Sequence, residues 1–352
     1  MEVKTVQQAQ PQPSSKLAGT IIGLVIIVVL AVIVNKLSKN VSGTLEYPLW
    51  AAALGLLANL IMSATRTKDF IQPAIRTELF LKIGLVLLGA SVNFTKVMSV
   101  GAKGIVQGLI MITCVFFFTY WLGGKFKLSD TLKATMATAI SVCGVSAAIA
   151  AAGAVLAKKE ELAYITALVI FTALPLMVLM PWLAVEWNLP VQVAGAWFGG
   201  NIDTTAAVVG AGAIHGEEAM KIASIVKMSQ NALIGFVAFA LAVYFATKVE
   251  KSGQGVSAKV IWDRFPKFVL GFMITSILAS TGFFAKEALG AIGNMQKWFF
   301  NLAFICIGLE LAFGALKQIG GKPLVVYIIA TIFNTTLALG VGWLIFGGIL
   351  GI

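Results

Sequence analysis

Three ionisable side chains stand in stretches that are otherwise apolar: Asp203 in WFGGNIDTTAAVVGAG, Lys227 in KIASIVKMSQNALIG and Glu310 in FICIGLELAFGAL. A charge inside an apolar span is costly and marks an ion or substrate pathway. Asn201, Thr204 and Thr205 add oxygens and donors around Asp203, and Gly199 and Gly200 just before it allow an irregular backbone. Ser229, Gln230 and Asn231 follow Lys227, and Gly308 precedes Glu310 by two residues. The chemistry these residues suggest is a polar cavity in which the acids take a proton or a cation and Lys227 meets an anion. The competing account is a structural Asp203–Lys227 ion pair joining two helices, with Glu310 lying closer to a membrane interface.

A second group of residues lies in the stretch 131–157, TLKATMATAISVCGVSAAIAAAGAVLA. It is long enough to cross a bilayer, yet its centre holds Ser141, Cys143, Gly144 and Ser146 among alanines rather than bulky hydrocarbon. Small residues let another backbone approach. Gly144 weakens the helix where two hydroxyls can serve freed backbone groups or a ligand. A helix broken at mid-membrane is how many secondary transporters build a substrate site. The plainer account is a packing helix with no ligand.

The elements that must position these residues are membrane helices. Of 352 residues, 59% are hydrophobic and 12% charged, against about 45–50% apolar and about 25% charged in soluble domains. Apolar stretches fall at 17–38, 46–65, 74–94, 97–122, 131–157, 160–185, 190–214, 217–247, 265–284, 288–316 and 321–350. An all-α polytopic fold of about eleven transmembrane helices is therefore expected. It forms a single transporter domain over 16–352, after a Gln-, Pro- and Ser-rich tail at 1–15 expected to be disordered.

The net charge of +11 does not suggest nucleic acid, because no basic stripe is interleaved with aromatics; it fits positive loops held on the cytoplasmic side. Counted on alternate sides, the larger share of Lys and Arg accompanies the N-terminus, including Arg66, Lys68, Arg76, Lys125 and Lys127. This places the N-terminus in the cytoplasm, the C-terminus outside and a polar cytoplasmic linker near 248–264. Segments 83–104 and 302–323 share Gly89/Gly308, Phe94/Phe313, Gly101/Gly320 and Lys103/Lys322 at a constant offset. They cross in opposite directions, as inverted repeats do. A pairing of the span near Gly144 with the span near Gly308 is the alternative.

Other residues read as structural. Glu78 and Lys82, one turn apart, are expected to snorkel at a helix end. His215 reads as a solvated loop histidine, and Pro175 and Pro181 as kinks in one span. Asn59, Asn93, Asn301 and Asn334 read as bonds between helices. Three cysteines within apolar spans suggest neither a disulfide framework nor a metal site. The chain lacks H-E-x-x-H, the G-x-S-x-G elbow and the G-x-x-x-x-G-K-[ST] loop, which argues against those enzymes and against direct drive by ATP.

The segments RTELFLKIGLVLLGASVNF, ISVCGVSAAIAAA, WFGGNIDTTAAVVGAGAI, ASIVKMSQNALIG and CIGLELAFGALKQIGGKPL resemble, in order and spacing, those of the YeiH-like family of sulfate exporters. That family is similar to the wider cation:proton antiporter and anion transporter superfamily. The resemblance implies two inverted repeats with crossed discontinuous helices. It draws attention to Ser141, Cys143, Gly144, Ser146, Asp203 and Lys227. The sequence departs from the family where a His-Glu pair is often found, having Ile202 and Asp203 followed by two threonines. Glu310 stands where many relatives carry an uncharged residue.

The expected function is secondary transport of a small anion (sulfate, sulfite, or a small organosulfonate or carboxylate) across the inner membrane by alternating access. Ser141, Cys143, Gly144, Ser146, Asn201 and Lys227 would bind substrate. Asp203, Thr204, Thr205 and Glu310 would bind H+ or Na+ as coupling ion, with no other cofactor and no metal. The alternative is monovalent cation/proton exchange at Asp203 and Glu310. Partners are the anion and the lipid bilayer; homodimers are common among related folds.

Overall fold

The computed structural model describes residues 13–40, 47–245, 267–311 and 321–348. Among them there is no strand; the chain is a bundle of helices. The first is α1 (Pro13–Asn40), so the expected disordered tail gives way to helix at Pro13, and residues 1–12 lie outside the described residues. The helices α2 (Tyr47–Ala64), the one-turn α3 (Lys68–Ile71), α4 (Thr77–Gly89) and α5 (Phe94–Lys125) follow. Asn93 caps α5, its side chain accepting from Thr95 N at 2.9 Å. It therefore satisfies an orphan donor of a helix start instead of tying two helices together.

Among the described residues, six of the eleven apolar stretches form helices long and apolar enough to cross a membrane: 17–38, 47–64, 94–125, 159–186, 217–241 and 321–346. The other five are short, divided or more polar. Two of them, 131–157 and 190–214, are interrupted. In the first, α6 (Asp130–Thr138) widens into a π turn at Ala139–Cys143, reverses at Gly144 and resumes as α7 (Val145–Val155). In the second, α9 (Val191–Asn201) and α10 (Thr205–His215) are separated by extended backbone at Ile202 and Thr204. Between these two pairs runs α8 (Lys159–Glu186), a continuous helix that contains both Pro175 and Pro181.

The chain continues through α11 (Glu217–Ala232), α12 (Ile234–Tyr244), α13 (Phe268–Ser280), α14 (Lys286–Glu310) and α15 (Gly321–Phe346). The stretch 74–94 supplies only the 13 residues of α4, and 265–284 only the 13 of α13. These two short helices pack on each other. Thr275 Oγ1 donates to Val86 O at 2.6 Å, Ser276 Oγ to Val92 O at 2.6 Å, and Phe94 N to Ser280 Oγ at 2.8 Å. The helix α14 keeps its length but carries Lys286, Glu287, Lys297 and Glu310. The linker near 248–264 and the repeat partners Phe313 and Gly320 lie outside the described residues.

Burial sorts the long helices by environment. The apolar windows of α1, α5, α8 and α15 are at most 33% buried, and they present Val25, Val28, Phe117, Trp182 and Ile332 outward, as lipid-facing helices do. The window 217–241 is 67% buried. The helix α11 is thus interior, enclosed chiefly by α5, α9 and α10. Close approach of α9 to α11 explains Gly199: a Cβ there would meet Ala223 O at 2.7 Å. Gly199 and Gly200 are helical, so they serve packing, and the expected irregular backbone falls three residues later, at Ile202–Thr204.

Candidate functional site

The two interruptions meet. Gly144 has φ +60° and ψ −115°, a conformation open to glycine. A Cβ there would lie 2.5 Å from Val169 Cγ1 and 3.1 Å from Asp203 O, so the second interruption passes directly over the first. One amide bridges them: Asn334 Nδ2 on α15 donates to Asn201 O at 3.0 Å and reaches Ile140 O at 3.4 Å. Thr335 Oγ1 donates to Asn201 Oδ1 at 3.2 Å, and Asn201 Nδ2 donates to Met180 Sδ at 3.0 Å.

A π turn followed by a reversal leaves carbonyls at the end of α6 without partners in the helix. Two interior side chains of α11 serve them. Lys227 Nζ donates to Val142 O at 2.7 Å and to Gln230 Oε1 at 3.1 Å, while Gln230 Nε2 donates to Ser141 O at 2.8 Å. Lys227 is 1% exposed, and its positive charge sits at the negative end of a half-helix. It is turned to the backbone, away from where an anion was expected to meet it. No Asp203–Lys227 ion pair within 4.0 Å forms among the described residues. The buried Asp203 instead accepts from Tyr327 Oη through Oδ2 at 2.6 Å.

Beside this crossing lies a cavity of about 850 Å³, lined by α4, α7, α8, α10, α11 and α14 and by the starts of α12 and α13. Both resumed half-helices begin at it. Val145 and Ser146, the first residues of α7, line it, as do Thr204 and Thr205 at the start of α10. Thr204 caps α10 by accepting from Ala207 N at 3.3 Å. No side chain of its own caps α7. Orphan N–H groups and the positive ends of two helix dipoles therefore face one space. Asn231, 4% exposed, also lines it; its Nδ2 donates to Thr205 Oγ1 at 3.1 Å and its Oδ1 has no partner.

The same cavity holds acids. Glu310, at the end of α14, accepts from Thr77 Oγ1 at 2.6 Å. Glu78 accepts from Ser146 Oγ at 2.9 Å through Oε1 and pairs with Lys82 at 2.7 Å through Oε2. Glu78, read from the sequence as a snorkelling residue, is thus tied to the start of a half-helix. Lys82 and Lys267 complete the charged lining.

The structure divides the expected site in two. Cys143, Ser146, Thr204, Thr205 and Glu310 line the cavity, and Gly144 is the reversal at its edge. Ser141, Asn201, Asp203 and Lys227 lie in the crossing, bonded to protein groups. The sequence reading gave no site role to Thr77, Glu78, Lys267 or Tyr327, which approach from distant helices. His215 ends α10 half-buried, its ring edge-on to Phe198 at 5.6 Å, and is not a free loop residue.

Residues 20–327 match the model of the family described as conserved hypothetical protein 698. A UPF0324 membrane protein of Rhodopirellula baltica, RB9488, is 43% identical over 317 residues, covering 86% of this chain and 58% of its own length. One of Nitratidesulfovibrio vulgaris is 40% identical over 349 residues, covering 93% of this chain and 59% of its own length. Another of that organism is 29% identical over 326 residues and is covered over 90% of its length. The chain thus spans about three-fifths of the first two relatives. No solved structure matches. Multi-pass membrane helices, the quoted motifs and this match over most of the chain agree: the chain belongs to the conserved hypothetical protein 698 family, the YeiH-like membrane proteins.

Proposed function

We propose that the chain is a secondary transporter of a small anion such as sulfate, sulfite or a small organosulfonate or carboxylate. One observation carries this reading: the N-termini of α7 and α10 open onto a single cavity, with Ser146, Thr204, Thr205 and Asn231 beside them. Backbone N–H groups and aligned peptide dipoles are a ready anion site. Glu310, which faces the same cavity and accepts from Thr77, is the group for a coupling H+ or Na+. Lys82 and Lys267 line the cavity, and the distribution of Lys and Arg assigns both to the cytoplasmic side of an inner-membrane protein. Alternating access moves the half-helix crossing against the remaining helices.

Two carboxylates, Glu78 and Glu310, face the same space, and this favours a second reading, monovalent cation/proton exchange. Proteoliposomes separate the two. Uptake of radiolabelled sulfate and sulfite is measured with H+ and Na+ gradients imposed separately. Gradient-driven anion uptake is expected, with Glu310→Gln falling to near background under the coupling gradient while anion-for-anion exchange persists. Absence of anion flux together with exchange of H+ for Na+ or K+ overturns the anion reading in favour of the cation exchanger.

A further inference from the structure

Side chains serve the backbone carbonyls of Ile140, Ser141, Val142 and Asn201 where the two interrupted spans cross. Asn334 Nδ2 reaches Ile140 O and Asn201 O, and Gln230 Nε2 donates to Ser141 O. Both donors are neutral amides. Of these carbonyls only Val142 O is served by a charge, the ammonium of Lys227 at 2.7 Å. An amide satisfies an orphan carbonyl as an ammonium does, and it costs less to bury. Hydrogen bonding alone therefore does not explain why a lysine stands at this position.

The surroundings of that ammonium are those of a bound cation. Lys227 is enclosed to a depth at which a charge is ordinarily paired. Among the described residues it makes no ion pair, and the buried Asp203 is turned to Tyr327 Oη. Its acceptors are neutral oxygens instead, Val142 O and Gln230 Oε1 at 3.1 Å. Gln230 is fixed by its own bond to Ser141 O, so its oxygen is held in place. Behind Val142 O stand α6 and the π turn that continues it, whose peptide dipoles end here with their negative pole. Carbonyl and amide oxygens at the negative end of a half-helix are the surroundings in which membrane proteins hold monovalent cations.

We infer that the end of the first half-helix is a monovalent-cation site that the chain fills with its own ammonium, so that Lys227 does there what a bound Na+ or K+ would do. Lys227 is a positioning residue: it neutralises the half-helix end and fixes Val142 O and Gln230 about one centre. The crossing of the wild-type protein thus needs no ion from solution. A Na+ that couples transport has its place elsewhere in the molecule, beside Glu310 and not at the crossing. The inference does not depend on which substrate is carried. It has one direct consequence: removal of the lysine side chain leaves a space with oxygens and a negative pole, which a small cation enters.

The test compares the full-length wild type with Lys227→Ala, Lys227→Gln and Lys227→Met. All are purified in Na+ and K+ and then exchanged into choline, a cation too large for the site, at constant ionic strength. Tm is read as Na+, K+ or n-propylammonium, the fragment that Lys227→Ala removes, replaces choline. Lys227→Ala is expected to lose stability in choline and to regain it with at least one of the three, saturably, as a ligand of the folded state does. It is also expected to bind more radiolabelled Na+ or Rb+ than wild type, by about one ion per chain. A cation bound beside Glu310 is common to both proteins and cancels in this comparison. Lys227→Met fills the space without charge and is expected to stay destabilised in every salt. Failure of all three cations to restore Lys227→Ala beyond their effect on wild type overturns the inference. So does failure of that variant to fold in Na+ and K+, where the site would be filled. Wild-type Tm in Lys227→Gln overturns it as well, by showing that a neutral donor suffices.

Discussion

At the end of the α6 segment, Lys227 donates to Val142 O at 2.7 Å and Gln230 to Ser141 O at 2.8 Å. At the end of α14, Lys68 donates to Leu311 O at 2.8 Å, while Asn59 Nδ2 donates to Leu311 O at 2.7 Å and to Gly308 O at 3.0 Å. The two ends use the same chemistry, a lysine and an amide side chain on exposed carbonyls. Their surroundings differ. Lys227 is 1% exposed, whereas Lys68 is half-buried and shares its surroundings with Asp69 and Glu310. The first end also needs a glycine reversal at φ +60°, while Leu311 has φ −56°, which any residue adopts. Both ends are buried, but the α6 end is held by a fully enclosed lysine and the α14 end by one that is partly exposed. The proposed transport would need both a fixed crossing and a group that exchanges ions, and the two ends differ in the way those tasks would require.

Substitutions can break this contrast. Gly144→Ala is expected to have the largest effect, because it combines a backbone conformation closed to L-residues with a 2.5 Å contact to Val169. A loss of roughly 2–6 kcal/mol is expected from strain and overpacking, read as poor yield or a large drop in Tm in detergent. Lys227→Met comes next. It leaves Val142 O and Gln230 Oε1 short of a charged donor in a dry interior, at about 2–3 kcal/mol. Lys68→Met should cost about 1 kcal/mol or less, since Lys68 is partly exposed and Asn59 still donates to Leu311 O. Raising salt sharpens the comparison. The Lys68 contribution should fade between low and high ionic strength, as screening dictates, and that of Lys227 should not. Equal Tm losses for the two lysine variants would remove the distinction between the ends.

Much of the α6 end was legible in the sequence. Gly144 amid alanines and hydroxyls announces an interruption, because no lipid-facing helix uses such a centre. Lys227 was legible as a buried charge, but its partners were not. Backbone carbonyls accept the proton donor, and they leave no trace in residue type. The second interruption was placed at Gly199 and Gly200, two residues that give no sign of whether they serve a bend or a close approach; they serve the approach of α11. Glu78 beside Lys82 has the spacing of a surface pair on one helix, which hides its bond to Ser146. The short α4 and α13 were read as full spans because apolar turns extend the pattern beyond the helix ends.

Asn334 has a mechanical consequence. One side-chain NH2 reaches Ile140 O in the first interruption and Asn201 O in the second, while α11 grips the first through Ser141 O and Val142 O. Two hinges so joined share a single degree of freedom. Neither half-helix pair can unbend alone without stripping buried carbonyls of their donors. Force applied at either start of a half-helix is thus passed to the other as displacement of one solid block, in the way a pinned linkage moves.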